Sequence, residues 1–396
     1  MEIRRLNLHG MLIQAVYWFG YCTYSAFMIT TLIDYGWSAS AATWAMTAMS
    51  IIIMLVQPIY GYISDKYLSD KKLSILLLAL AAIGYLFLPF SLASGSTSVV
   101  LINMIGITMT GNQVWSLLDA WIVGLKQEFQ SINYGLIRGT GSLAYALSAQ
   151  IAGTVTGAFG HNARLWLGGG FFIAAVFVAL HFRPARRIYH AGDAEKIISR
   201  LGGMEAFKLI FSSKQYCLLL GVSFFLLLNN TAMTTLIQLL IRDFGGTTAQ
   251  MGTTSAVTAV SEVPLMFLMA FIIKKVGVKK LLIFCSAAYA IRMFITASVG
   301  TVDGLIHLQL LQGFTYAVLV PVSMNYLSII LDERVRSTAI TTYTAITTSL
   351  TGILGNLITS ALLATGFSAQ SALIVFAISA LLGFILTMYG SIRRIW

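Results

Sequence analysis

The sequence predicts an all-helical integral membrane protein with twelve transmembrane helices in two six-helix halves. Three observations predict it. Of the 396 residues, 58% are hydrophobic and only 10% charged, where a soluble domain carries about 25% charged residues. The apolar residues fall into about twelve runs of spanning length, and a helix needs about 20 apolar residues to cross the hydrocarbon core. The basic residues sit in the short breaks between runs, and almost all of them fall on one side when the breaks are counted alternately.

The runs in order are 10–33, 41–63, 73–93, 97–125, 134–158, 165–182, 213–242, 250–273, 280–299, 305–331, 337–365 and 370–391. The breaks are turn-rich or charged, as at Tyr35–Ser40, Ser64–Lys72, Lys126–Asn133 and Gly245–Ala249. The first run is too long for the core of a signal peptide and has no clear cleavage site, so it reads as a retained helix. The longest polar stretch, 183–213, carries Arg183, Arg186, Arg187, Lys196, Arg200 and Lys208, and divides the chain into halves 1–182 and 214–396. Arg4, Arg5, Lys66, Lys71, Lys72, Lys126, this central cluster, Lys274, Lys275, Lys279, Lys280, Arg334, Arg336, Arg393 and Arg394 share one side. Only Arg164 and Arg242 fall clearly on the other. By the positive-inside rule both termini and the central loop are expected in the cytoplasm, with the chain in the cell membrane. The formal charge of +11 is thereby explained by topology, and no nucleic-acid partner is expected. Cys22, Cys217 and Cys285 lie in apolar runs without CxxC spacing, which argues against a disulfide framework or zinc site.

Function is sought where the composition is most costly. An ionised side chain at membrane depth is rare and is carried mainly for a task. Asp119 and Arg138 lie in the adjacent fourth and fifth runs, whose antiparallel packing would bring them to similar depth. A guanidinium offers five donors in a planar fork suited to vicinal hydroxyls or a carboxylate; the alternative is a structural pair with Arg138 snorkelling. Glu262 in the eighth run and Arg292 in the ninth are single charges in long apolar stretches. A buried carboxylate beside a cation suits proton cycling near neutral pH; the alternative is a permanent salt bridge to Arg292. Tyr145 can stack on a ring or simply pack. Asn112, Gln113, Asn229, Asn230, Gln238, Gln312 and Asn325 are uncharged polar residues in apolar runs, placed either on a cavity wall or between helices. Gly135, Gly139 and Gly141 form a small-residue stripe in the fifth run, and Gly352 and Gly355 another in the eleventh. No HExxH, Gly-rich phosphate loop or clustered carboxylates occur, so catalysis, ATP-driven pumping and a bound metal or cofactor are not expected.

Local motifs add a family resemblance. Gly61-Tyr-Ile-Ser-Asp65-Lys66, followed by Lys71 and Lys72, resembles the G-x-x-[SA]-D-[RK]-x-G-R-[RK] loop of the major facilitator superfamily, without its second glycine and with one extra residue. A similar basic turn recurs at Ile272–Leu282, the same place in the second half. The resemblance implies the major facilitator fold, two six-helix bundles related by an axis along the membrane normal, and alternating access around a central cavity. It also implies a cytoplasmic gate at Gly61, Asp65 and Lys66.

A closer likeness is to the lactose permease group of oligosaccharide–proton symporters. Val56–Lys66 carries it, with Asp119-Ala-Trp-Ile, Tyr134-Gly-Leu-Ile-Arg138-Gly-Thr-Gly141-Ser-Leu-Ala-Tyr145, Trp166-Leu-Gly-Gly, Ser261-Glu262-Val-Pro264 and Arg292. It implies a sugar site at Asp119, Arg138 and Tyr145. The tenth run departs from that group: Leu311-Gln312-Gly313-Phe314-Thr315 offers Gln312 and Thr315 where the group has a titrating histidine and glutamate. Asn229 and Asn230 stand near the place of its seventh-helix aspartate. In this the chain is more similar to the phenylpropionate- and nucleoside-permease relatives, and lactose is not implied as substrate.

The expectation is a monomeric secondary transporter, not an enzyme, that takes up a sugar, oligosaccharide or nucleoside-like solute with protons. Asp119, Arg138, Tyr145, Asn112, Asn230 and Gln312 would bind substrate, and Glu262, Arg292 and Asp119 would couple protons. Drug or sugar efflux by proton antiport is the alternative within transport, disfavoured because the fifth run has no proline. A membrane sensor or enzyme is the alternative outside it.

Overall fold

In the computed structural model, residues 2–112, 114–128, 134–182, 203–331 and 336–396 are described. Among them every regular element is helical. The first part of the chain forms α1 (Glu2–Ser25), α2 (Met28–Asp34), α3 (Ala39–Lys66), α4 (Asp70–Ala93), α5 (Thr97–Thr110), α6 (Val114–Glu128) and α7 (Tyr134–His181). The remainder forms α8 (Gly203–Ser212), α9 (Lys214–Asp243), α10 (Thr248–Val276), α11 (Val278–Ser298), α12 (Val302–Leu308), α13 (Tyr316–Ile330), α14 (Arg336–Thr344), α15 (Thr351–Ala364) and α16 (Ala369–Ile392). A 3₁₀ turn at Gln309–Gln312 links α12 towards α13, and a π segment at Ala345–Leu350 joins α14 to α15.

Among the described residues each expected apolar run is helical, and four are interrupted. The first breaks after Ser25 into α1 and α2, the fourth after Thr110 into α5 and α6, the tenth at the 3₁₀ turn and the eleventh at the π segment. The fifth and sixth runs form a single long element, α7, whose two arms meet at Gly160. Its φ of 81° lies in the left-handed region, where a Cβ would be strained and glycine is not. The expected central loop lies outside the described residues over 183–202, and its last part forms α8.

Local chemistry accounts for the helix starts. Ser38, Ser69, Thr301 and Ser368 each stand at an N-cap and accept from the backbone N–H three residues on, which satisfies one of the four orphan donors there. Inside the helices the hydroxyls turn inward on their own backbone: Thr43, Thr47, Thr254, Thr359 and Thr387 each donate to the carbonyl four residues back. Where no water competes, that keeps a polar side chain satisfied in an apolar setting. The outer surface is apolar, with Ile83, Phe87, Ile102, Phe271 and Ile291 all exposed. Eight of the described helical stretches are long and apolar enough to cross a membrane. The protein is a multi-pass membrane protein.

The chain divides into two compact units, residues 1–187 with 241–260, and residues 188–240 with 261–396. In the first, α1 packs along α7, and α4 against α5, α6 and α7. In the second, α11 packs against α13 and α16, and α15 against α16.

Candidate functional site

Two polar clusters lie inside apolar helices, one in each unit. In the first unit, α6 carries Asp119 and the first arm of α7 carries Arg138. Arg138 Nε lies 3.8 Å from Asp119 Oδ2, with the side chains 33% and 18% exposed. The pair is reachable yet largely sheltered, where charges interact more strongly than at a free surface. Around it α1 supplies two residues that sequence reasoning did not single out. Gln14 Nε2 donates to Asp119 Oδ1 at 2.9 Å, and Trp18 Nε1 donates to Gln14 Oε1 at 2.8 Å. The Arg138 guanidinium then lies over the Trp18 ring, 4.6 Å from its centroid, a cation–π contact. Arg138 Nη1 also donates to Ser142 at 3.4 Å. Tyr145, two turns beyond Arg138, meets Trp18 edge-on at 6.2 Å and Tyr21 at 6.4 Å, and its hydroxyl is 3.5 Å from that of Ser25. Gly141 admits Trp18 to this position, since a Cβ there would press into the indole ring. Asp119, Arg138 and Tyr145 thus share one aromatic-walled cluster. Asn112 is buried at the α5–α6 break, and its Oδ1 has no hydrogen-bond partner among the described residues.

In the second unit the cluster centres on Arg292 of α11, which is 3% exposed. Its Nη1 donates to Gln312 Oε1 and, at 3.2 Å, to Thr315; its Nη2 donates to Gln309 Oε1 at 2.8 Å. Gln312 is the bridge. Its Nε2 donates to Glu262 Oε1 of α10 at 2.9 Å and to Asn230 Oδ1 of α9 at 3.1 Å. An amide whose oxygen receives from a guanidinium has both N–H groups turned towards acceptors, and the state of Glu262 is thereby coupled to Arg292 through one side chain. Backbone shape makes this possible. The 3₁₀ turn brings Gln309 and Gln312 to the same face, at i and i+3, and Gly313 lets the chain approach the Ser261 carbonyl, 2.5 Å from where its Cβ would stand. Ser261 donates to the Gln309 carbonyl at 3.2 Å. Gln309 was missed by sequence reasoning because its role depends on Arg292 of α11 lying against this turn, a tertiary contact.

The other polar residues separate. Asn229 is buried and donates to the carbonyls of Phe225 and Leu226 on its own helix, while Gln238 is buried on α9. Gln113 lies outside the described residues. Gly61, Asp65 and Lys66 fall in the last two turns of α3, with their side chains outside the described residues.

Eight candidate spans among the described residues, with polar clusters inside apolar helices, define a multi-pass integral membrane protein. The profile of the MFS_1 like family matches residues 11–376, and the chain belongs to this family of major facilitator transporters. A maltose permease of Geobacillus stearothermophilus is 25% identical over 316 residues, covering 78% of this chain and 75% of that protein. An uncharacterized transporter of Bacillus subtilis (strain 168), YwbF, is 22% identical over 309 residues, covering 78% and 74%. The fold is that of the crystallised nucleoside transporter NupG, with a TM-score of 0.79, 14% identity and coverage of 97% of this chain and 98% of that one. It also matches a bacterial homolog of the lysosomal transporter Spinster, at a TM-score of 0.74, 12% identity and coverage of 98% and 97%.

Proposed function

We propose that this chain is a proton-coupled symporter of a sugar, oligosaccharide or nucleoside-like polyol, working as a monomer by alternating access, with its termini in the cytoplasm. The observation that carries the reading is the Gln312 bridge between buried Arg292 and Glu262. A carboxylate in an apolar helix is poised to exchange a proton when its cationic partner is reached through a neutral amide rather than held by it directly. The Arg138–Asp119 pair beside Trp18 and Tyr145 supplies what a polyol needs: a donor fork, an acceptor and aromatic faces. Asn112, Asn230 and Gln312 add neutral hydrogen-bonding groups, and Asp119 is a second acid able to take part in coupling. The resemblance to a maltose permease supports a saccharide, and the fold shared with a nucleoside transporter is compatible with a nucleoside. Gly61, Asp65 and Lys66 act as the cytoplasmic gate. The halves 1–182 and 214–396 are the moving bodies, joined by 183–213.

The test is uptake by proteoliposomes of maltose, a longer malto-oligosaccharide and a nucleoside, with and without an inward proton gradient. One of them accumulates only with the gradient in the native protein. Glu262→Gln abolishes accumulation yet retains exchange of internal for external substrate. Gradient-driven uptake that survives in this variant rejects Glu262 as the coupling acid, and accumulation unaffected by collapsing the gradient rejects proton coupling.

A further inference from the structure

Arg164 and Arg242 are the two basic residues that the loop count leaves opposite all the others, and neither belongs to the clusters above. The structure brings both to one short stretch of α2. Asp34 ends that helix. Its Oδ1 accepts from Arg242 Nη1 at 2.6 Å, and its Oδ2 faces His161 Nε2 at 3.0 Å. One turn earlier, Thr31 Oγ1 accepts from Arg164 Nη2 at 2.6 Å and lies 3.3 Å from His161 Nδ1. The groups therefore run in a row, from Arg242 through Asp34, His161 and Thr31 to Arg164, and all belong to the first compact unit. Exposure falls along it. The Arg242 and Asp34 side chains are 41% and 39% exposed and that of His161 18%, while Arg164 is 0% exposed.

Arg164 is the anomaly. It lies over the Phe27 ring at 4.8 Å, its only hydrogen bond among the described residues runs to a neutral hydroxyl, and its Nε and Nη1 have no partner there. A buried guanidinium ordinarily has a carboxylate and several acceptors. Asp34 stands one turn beyond Thr31, the residue whose hydroxyl Arg164 holds. Arg242, for its part, lies near the start of the segment 241–260, which packs with the first unit although α9 starts in the second. Two further contacts seat that segment. Gly252 of α10 rides against the Ala149 carbonyl and Gly153 of α7, and Thr253 donates to Gln150 at 2.9 Å.

We propose that Asp34 exchanges partners: it clasps Arg242 while segment 241–260 is seated, and turns inward to Arg164 when the segment moves away during transport. The exchange leaves Asp34 paired in both arrangements and gives Arg164 a carboxylate in the second, so release is not opposed by an unpaired acid. His161, bonded to both Asp34 and Thr31, marks the path between them. The inference rests on movement of this segment, not on proton coupling or on the substrate.

The experiment labels the Asp34 carboxyl of the full-length protein in lipid nanodiscs with a water-soluble carbodiimide and glycine ethyl ester, read by peptide mass spectrometry. Removing Arg242 takes away a neighbour that covers Asp34, so a carboxylate with no second partner labels faster in Arg242→Gln. Partner exchange predicts the opposite, a severalfold slower labelling. Unchanged or faster labelling overturns the proposal. A second measurement needs no chemical reagent. The coupling between Asp34→Asn and Arg164→Lys, taken as non-additivity in melting temperature, is small in the native background and rises to about 3 °C or more in Arg242→Gln. Strict additivity in both backgrounds also overturns it.

Discussion

At the residue scale the two clusters differ in what holds the charge. Arg138 is fixed by geometry more than by contact. Its nitrogen is 3.8 Å from Asp119, while its guanidinium carbon lies over the Trp18 ring. A lysine keeps the charge but neither the planar fork nor the stacking. Arg138→Lys is therefore expected to lose substrate binding nearly as completely as Arg138→Ala, measured by ligand-induced thermal stabilisation; full affinity in the lysine variant would reduce the residue to a point charge. Arg292 is instead enclosed by neutral oxygens of Gln309, Gln312 and Thr315. Gln312→Leu strips one of those acceptors from a buried cation and one donor from Glu262, and should cost about 1–3 kcal/mol. The check is thermal unfolding in detergent, where an unchanged melting temperature would show that the bridge contributes nothing to the folded state.

At the scale of elements, backbone irregularities place the site. The α5–α6 break carries the buried amide of Asn112, and the 3₁₀ turn before α13 presents two glutamines to one guanidinium. Gly160 ends one arm of α7 and starts the next, which carries Arg164. Glycines on helix faces have unequal value. A Cβ at Gly141 would overlap the Trp18 indole and stand 2.9 Å from its Nε1, and Trp18 is tied to Gln14 at 2.8 Å. Gly141→Ala should cost about 1–3 kcal/mol by overpacking and weaken binding as Trp18 tilts away from Arg138. Gly106 of α5 faces open space. Gly106→Ala should be neutral or raise stability by up to about 1 kcal/mol through helix propensity. Melting curves of the two variants side by side test the distinction, and equal losses would contradict it.

At the scale of the whole molecule the governing fact is the solvent. An outer surface of isoleucine, leucine and phenylalanine is stable only against lipid, and a polar group turned away from water is then costly unless it finds a partner within the protein. The hydroxyls that bond back on their own helices and the amides that bridge charges are both answers to that requirement. Movement belongs to this scale too. If the Gly61–Lys66 end of α3 is the cytoplasmic gate, Asp65→Asn weakens closure there and shifts the population of states without altering either cluster. Transport by Asp65→Asn should be slow with near-native equilibrium binding in detergent, and labelling of cytoplasmic-side cysteine reporters should increase. Native transport rate and labelling would leave this end of α3 with a topological role only.

The helical spans and the pairing of Asp119 with Arg138 were legible in the sequence. Apolar run length and charge placement are one-dimensional quantities, and adjacent antiparallel helices carry neighbours in sequence into neighbours in space. The bilayer makes that signal strong, because an unspanned apolar run or a misplaced lysine has a direct solvation cost. Glu262 and Arg292 were legible as costly charges, but their link through Gln312 was not. It depends on three separate helices and on one turn wound as 3₁₀, which no periodicity announces. Gln14 and Trp18 were hidden for a related reason: a glutamine and a tryptophan one turn apart in an apolar helix look like packing until α7 is laid beside them. The meeting of Arg164 and Arg242 on α2 lay furthest from view. The sequence marked both as the exceptions to the charge rule. Only tertiary packing, which joins positions 208 residues apart, placed Asp34 against one arginine and left the other, buried, with a single hydroxyl among the described residues.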